Sequence, residues 1–186
     1  MKAGRKIFVF LMTVAMLTAS WYIPVEMAAG GPEVPGWTVQ GSNGADFTWA
    51  VDTSEYNGGD ASLWMRNNSG YINNVFGCLE TTIAVEKGAE YEYGFVAKAN
   101  RGGSIAYFID WGTRYYWSPV GNTFGWTPFD AAYTHTSDNP TVTLRFALDG
   151  PTRDFWLDDV YFYKVEDGKR VGKNLIYNGT FDSDVM

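Results

Sequence analysis

From residue 30 onward the chain runs in short alternating stretches separated by glycine and asparagine clusters, and that rhythm limits what it can fold into. Tyr91, Tyr93, Phe95 and Ala97 fall on one side of a period-two pattern, with Glu92 and Lys98 on the other. Val142, Leu144, Phe146 and Leu148 alternate with Thr143, Arg145 and Ala147 in the same way. Successive side chains of a strand point to opposite faces, so each run spells a strand with one buried face. Between the runs stand Gly41-Ser-Asn-Gly44, Asn57-Gly-Gly59, Asn67-Asn-Ser-Gly70, Gly102-Gly103, Gly121-Asn122 and Asp149-Gly-Pro151. These clusters supply positive φ or side-chain-to-backbone hydrogen bonds, which tight turns require. Heptads, solenoid repeats and basic amphipathic helices are missing from the pattern. The sequence therefore reads as all-β and antiparallel, a sandwich or barrel.

Phe155–Val165 departs from simple alternation. Phe155, Leu157, Tyr161 and Tyr163 are expected on one face and Trp156, Val160 and Phe162 on the other. A strand apolar on both faces is covered twice or carries a bulge. Asp158 and Asp159 fall inside it, and a carboxylate there needs a partner, because unpaired buried charge is costly. Arg153 is one candidate partner and a bound cation is another.

The N-terminus has a different logic. Lys2, Arg5 and Lys6 precede an apolar run, Ile7–Ala19, and small residues follow at Ala19-Ser20 and Ala28-Ala-Gly30. The run is short for a membrane span, which takes about 20 apolar residues, and the layout is that of a cleavable secretory signal. We read residues 1–29 as a signal peptide, and the protein as secreted and free of the membrane after cleavage. Removing that segment takes away three bases and one acid, so 14 bases and 21 acids become 11 and 20 and the net charge moves from −7 to −9. Such a surface argues against nucleic acid, whose phosphates demand basic patches. The single cysteine, Cys78, excludes an internal disulfide and reads as a small core residue.

Three phrases resemble secreted carbohydrate-binding modules of the family 4/9 and family 22 type. They are Gly36-Trp37 followed by Asn57-Gly-Gly-Asp-Ala-Ser-Leu63, then Thr82–Tyr91 as a strand–turn–strand, and Asp154-Phe-Trp-Leu-Asp-Asp-Val160 as a closing strand. The resemblance implies a jelly-roll β-sandwich over residues 30–165, binding plant-type polysaccharide such as xylan or β-glucan without catalysis. It also implies a structural Ca2+ held by Asp158, with backbone carbonyls near Asp60 and an acid from the opening strand. Calcium takes six to eight oxygen ligands of these kinds. Modules of this type flank bacterial xylanases and glucanases, so a covalently linked glycosidase or second module is an expected partner.

The opening phrase of such modules is missing before Gly36 but stands at the other end, as Asn174-Leu-Ile-Tyr-Asn-Gly-Thr-Phe-Asp182. Two readings follow. Residues 166–173 are a linker and 174–186 open a second module, or 174–186 supply the edge strand of the first and bring Asp182 towards Asp158.

Sugar sites pair flat aromatic platforms with a few polar groups. In Ala61–Arg66 the apolar face is Leu63 and Met65, which puts Trp64 and Arg66 together on the other. Family 22-like modules carry a binding aromatic and an arginine in this region. The second aromatic cluster, Asp110–Trp117, offers Trp111, Tyr115 and Trp117 with Arg114 to bond hydroxyls; a hydrophobic plug is the alternative use of those rings. Phe124, Trp126 and Tyr133 are expected in the core, and His135 in a solvated turn.

Two other classes compete. A small family-11-type jelly-roll xylanase would need two carboxylates across the scissile bond, from among Glu80, Glu90, Glu92 and Asp110. Glu90 and Glu92 follow the Lys87-Gly88 turn, where a carboxyl is poorly placed to be desolvated. One histidine and one cysteine spell no triad and no zinc site. A cell-surface adhesion sandwich is the other alternative, since the fold alone does not choose.

Overall fold

The computed structural model describes residues 31–39, 46–68, 76–100, 105–110, 112, 115–117, 123–149 and 152–182. The expected signal segment, 1–29, lies outside them. The described residues contain strands and turns only, and no helix long and apolar enough to cross a membrane.

Among the described residues eleven strands form two antiparallel sheets, the jelly-roll β-sandwich expected. The first sheet has the order β1 (Thr38–Val39), β4 (Phe76–Ala84), β9 (Thr141–Asp149), β6 (Ile105–Ile109) and β7 (Tyr115–Trp117). The second runs β2 (Phe47–Asp52), β3 (Ser62–Asn67), β10 (Thr152–Glu166), β5 (Glu90–Asn100) and β8 (Thr123–Thr134), with β11 (Lys169–Val171) also paired to β10. Alternation dictates what meets between them. Leu79, Phe146 and Tyr107 face inward from one sheet, and Met65, Phe155 and Phe95 from the other; all six are buried.

The long strand β10 resolves its apparent two-sidedness with a bulge. Its register against β5 shifts between Asp158 and Tyr161, and Asp159 takes a positive φ of 48°. The one extra residue inverts the pattern. Phe155, Leu157, Val160 and Phe162 all enter the core, while Tyr161 and Tyr163 are partly exposed on the outer face. Simple parity had put Tyr161 and Tyr163 with Phe155, so this is a correction; only an extra residue lets both halves of the strand feed one core.

The bulge leaves an opening along β10, which pairs with β3 up to Leu157 and with β11 from Lys164. Residues 174–182 fill it. Val160 N–H donates to Gly179 O at 2.8 Å and Leu175 N–H to Phe162 O at 2.9 Å. Asn174 accepts from Phe162 N–H at 2.9 Å and donates to Val160 O at 3.0 Å. Phe181 is fully buried 5.4 Å from the Trp37 ring, whose indole N–H donates to Asn178 O at 3.0 Å. The segment thus packs into the core of residues 30–165 as a set of turns, not as an edge strand. The stretch expected as a linker, 166–173, carries the end of β10 and all of β11.

Candidate functional site

Trp64 and Arg66 stand on the outer face of the second sheet. Trp64 is flanked by Ala50 of β2 and Trp156 of β10 in register, and Trp156 is in turn opposite Lys98 of β5. Asp154 organises the first half of this row. Its Oδ1 accepts from Trp64 Nε1 at 3.0 Å and from Arg66 Nε at 3.1 Å, and Arg66 Nη2 bonds to it as well. The guanidinium carbon lies 5.0 Å from the Trp64 ring centroid, a cation–π distance. The second half repeats the scheme: Asp52 Oδ2 accepts from Trp156 Nε1 at 2.8 Å, and Lys98 Nζ, ion-paired with Glu55, sits 5.3 Å from the Trp156 ring. Burial would raise the Asp52 pKa, but hydrogen bonds from Ser54, Trp156 and the backbone outweigh it and hold the carboxyl below its usual range.

The result is a charged aromatic face of fixed geometry, with each indole edge on an aspartate and each cation leaning over an indole. Trp64 remains partly exposed, and 37% of the Arg66 side chain faces solvent. Hydroxyls can reach Arg66 and Asp154 directly. A sugar ring stacking on Trp64 has to move Arg66 aside. Trp156, Asp154 and Lys98 escaped the sequence reading because only cross-strand register brings them beside Trp64.

Of the second predicted cluster, Trp111 and Arg114 lie outside the described residues, as does the side chain of Trp117. Tyr115 is 52% exposed. It belongs to the first sheet and Trp64 to the second, so the structure does not gather them into one site. Tyr115 instead stacks on Tyr107, centroids 5.7 Å apart, at the mouth of a cleft of about 480 Å³.

Asp158 is fully buried beneath the 57–58 turn. Its Oδ2 accepts from the backbone N–H groups of Asn57 (2.8 Å) and Gly58 (3.3 Å), and Oδ1 from Asp159 N–H (2.7 Å). Burial pushes its pKa up to about 6, against the opposing effect of these N–H donors. Two more carboxylates meet the same turn: Asp159 accepts from the Asn57 amide and Asp182 from Asp60 N–H, both near 2.8 Å. Gly59, at φ 64°, has no room for a side chain, since a Cβ there would lie 1.8 Å from Asp182 Oδ1. Even so, no three His, Cys, Asp or Glu side chains among the described residues form a ready metal-ligating group.

The carboxylates considered for catalysis are dispersed. Glu80 pairs with Arg145 at 2.7 Å on the first sheet, and Glu92 pairs with Arg170 on the second. Asp110 is bonded to Thr143 N–H at 2.9 Å, and Glu90 is exposed. His135, expected in a solvated turn, is 1% exposed, between the Tyr133 hydroxyl (3.0 Å) and Asn139 O (2.7 Å). Its two ring nitrogens each find a partner at the turn, which makes burial affordable. Cys78 is buried as expected, but with Ala106, Phe108 and Ala147 on the outer side of the first sheet.

No protein-family model matches the sequence, and no curated protein is significantly similar to it. Solved structures are similar in fold. A family 4 carbohydrate-binding module ("CBM4 structure and function") superposes with a TM-score of 0.52 at 21% identity, over 69% of this chain and 86% of that one. The fold is that of carbohydrate-binding modules. The CBM22-1 xylan-binding domain of Paenibacillus barcinonensis Xyn10C gives 0.50 at 14% identity, over 70% and 86%. The enzymatically active domain of bacteriophage CBA120 tailspike protein 4 gives 0.51 at 18%, over 72% of this chain but only 20% of that chain. The expected resemblance to family 4 and family 22 modules holds at the level of the fold.

Proposed function

We propose that this protein binds a neutral plant-type polysaccharide, xylan or β-glucan, without cleaving it. The observation that carries the proposal is the outer face built on Trp64, Arg66 and Asp154: a partly exposed indole beside an ion pair whose polar atoms suit hydroxyls. Similarity of fold to a xylan-binding domain supports the same class of ligand. Hydrolysis would require a carboxyl pair about 5–10 Å apart across the bond; the strand carboxylates named above are engaged separately, with Arg145, Arg170 and Thr143. Export by residues 1–29, and a place beside a glycosidase in a larger protein, belong to this proposal.

The test is affinity electrophoresis against soluble xylan, mixed-linkage glucan and mannan, with reducing-sugar release measured on the same polymers. Retardation without sugar release, lost in Trp64→Ala, is the expected outcome. Unretarded migration on all three polymers contradicts the proposal, and sugar release favours the xylanase alternative.

A structural Ca2+ is part of the same reading. Asp158, Asp159 and Asp182 converge on one turn, with no basic side chain among the partners named above, an excess of negative charge that a divalent cation would offset. Asp158 and Asp182 would hold it, together with backbone carbonyls of the turn, because carboxylates alone do not complete the set. Its role would be to pin the 57–60 turn and residues 174–182 against β10. Thermal melting should then rise with added calcium and fall in chelator, and Asp182→Ala should abolish the difference.

A further inference from the structure

The two sheets end side by side in β7 and β8, and between them the sandwich stays open. We propose that this edge is a second binding site, distinct from the Trp64 face, for a neutral sugar residue or short neutral oligosaccharide. It rests on the glycan reading above for its ligand class, and on separate residues for its location.

The cleft, about 480 Å³, is within the size range of small-ligand sites. Its walls are Tyr93, Tyr107, Tyr115 and Tyr133, with Asp110 at the rim. The inward face of β8 reads Phe129, Ala131, Tyr133, and the small Ala131 stands opposite Tyr93 in register. A large residue at that position would close the gap; alanine leaves it open between aromatic rings. Tyr107 and Tyr115 lie nearly parallel, with 24° between their planes, so the exposed Tyr115 extends a ring surface from the interior to solvent. Such a surface suits the C–H face of a pyranose.

The polar groups are equally specific. Burial raises the pKa of Tyr107 and Tyr133, and carries Tyr93 to about 12 with help from the neighbouring Tyr107 and Tyr115. All three keep their protons at neutral pH; Tyr93 and Tyr107 can donate as well as accept, and Tyr133, whose proton goes to His135, can accept. Tyr133 is oriented by His135: the Nε2 facing Asn139 O must carry the proton, so Nδ1 accepts from the Tyr133 hydroxyl. Asp110 sits at φ 51° and is pinned by two bonds to Thr143, its N–H donating to Thr143 O (2.8 Å) and its Oδ1 accepting from Thr143 N–H (2.9 Å). Its second carboxylate oxygen can accept from a ligand hydroxyl. The described lining holds this one acid and no base, which favours hydroxyls and penalises carboxylate- or sulfate-bearing sugars.

Amide NMR titration of the full chain with xylotetraose, cellotetraose, β-1,4-galactotetraose and tetragalacturonate tests this. At least one neutral tetrasaccharide should shift the amides of Asp110, Ala131 and Ala132, in wild type and in Trp64→Ala alike. Tyr115→Ala, at an exposed position, should weaken that response about tenfold or more while leaving thermal stability intact, and Tyr107→Phe should weaken it while keeping the ring. Absence of cleft shifts with every neutral tetrasaccharide overturns the proposal. So does an equal response to tetragalacturonate, or a cleft response lost in Trp64→Ala. Polymer retardation that survives Trp64→Ala with cleft shifts intact would overturn the Trp64 face and leave the cleft standing.

Discussion

Phe181→Ala measures whether residues 174–182 are part of this domain's stability. Phe181 is fully buried, with its ring tilted 39° against Trp37, and Trp37 in turn contacts Phe146 at 6.0 Å. Removing a buried phenyl ring costs about 3–5 kcal/mol through lost transfer free energy and the cavity left behind. Domains are stable by only about 5–15 kcal/mol, so the substitution would remove a large part of the total. At about 2–4 °C per kcal/mol for a chain of this size, melting should fall by roughly 6–20 °C. Urea unfolding should give the same loss as a lower midpoint at unchanged slope. Tyr177→Ala is the internal control: Tyr177 is 58% exposed in the same segment, and its loss should cost under about 0.5 kcal/mol. A loss below about 1 kcal/mol for Phe181→Ala would refute the reasoning, and would mean that the segment lies against the domain without completing its core.

Two further outcomes follow from buried charge. Breaking the Glu80–Arg145 pair, whose side chains are only 16% and 7% exposed, with Glu80→Ala should cost about 3 kcal/mol or more, and the double variant Glu80→Ala/Arg145→Leu should recover most of it; urea denaturation reads both. Asp158, at about 6 in the fold against its ordinary 3.8, binds its proton more tightly when folded. In chelator, stability should therefore fall as pH rises from about 4 to 6, by up to about 3 kcal/mol, and Asp158→Asn should flatten that slope. A melting temperature independent of pH across the window in the wild type would contradict it.

How much was legible in advance depends on the range of the forces involved. The all-β class, most strand positions, and the shared face of Trp64 and Arg66 follow from alternation, which is local: a strand's geometry assigns faces without reference to any other segment. What alternation could not see was β10, where a single bulge at Asp158–Asp159 reverses the faces of Tyr161 and Tyr163. Nor could it find Asp154, Trp156 and Lys98 as neighbours of Trp64, because register between strands more than thirty residues apart is decided by pairing. The tyrosine cleft is of the same kind: Tyr115 stands in the predicted aromatic cluster, but only the fold sets it beside Tyr93, Tyr107 and Tyr133 from separate strands. For Asn174–Asp182 the sequence leaves two readings, the opening of a second module or an edge of this one, and its hydrogen bonds to Val160 and Phe162 are visible only in the fold. Alternation and turn residues are local and already assign the faces and the bends; which strands adjoin is settled only at long range, because backbone hydrogen bonds and buried rings are satisfied between distant segments, not within them.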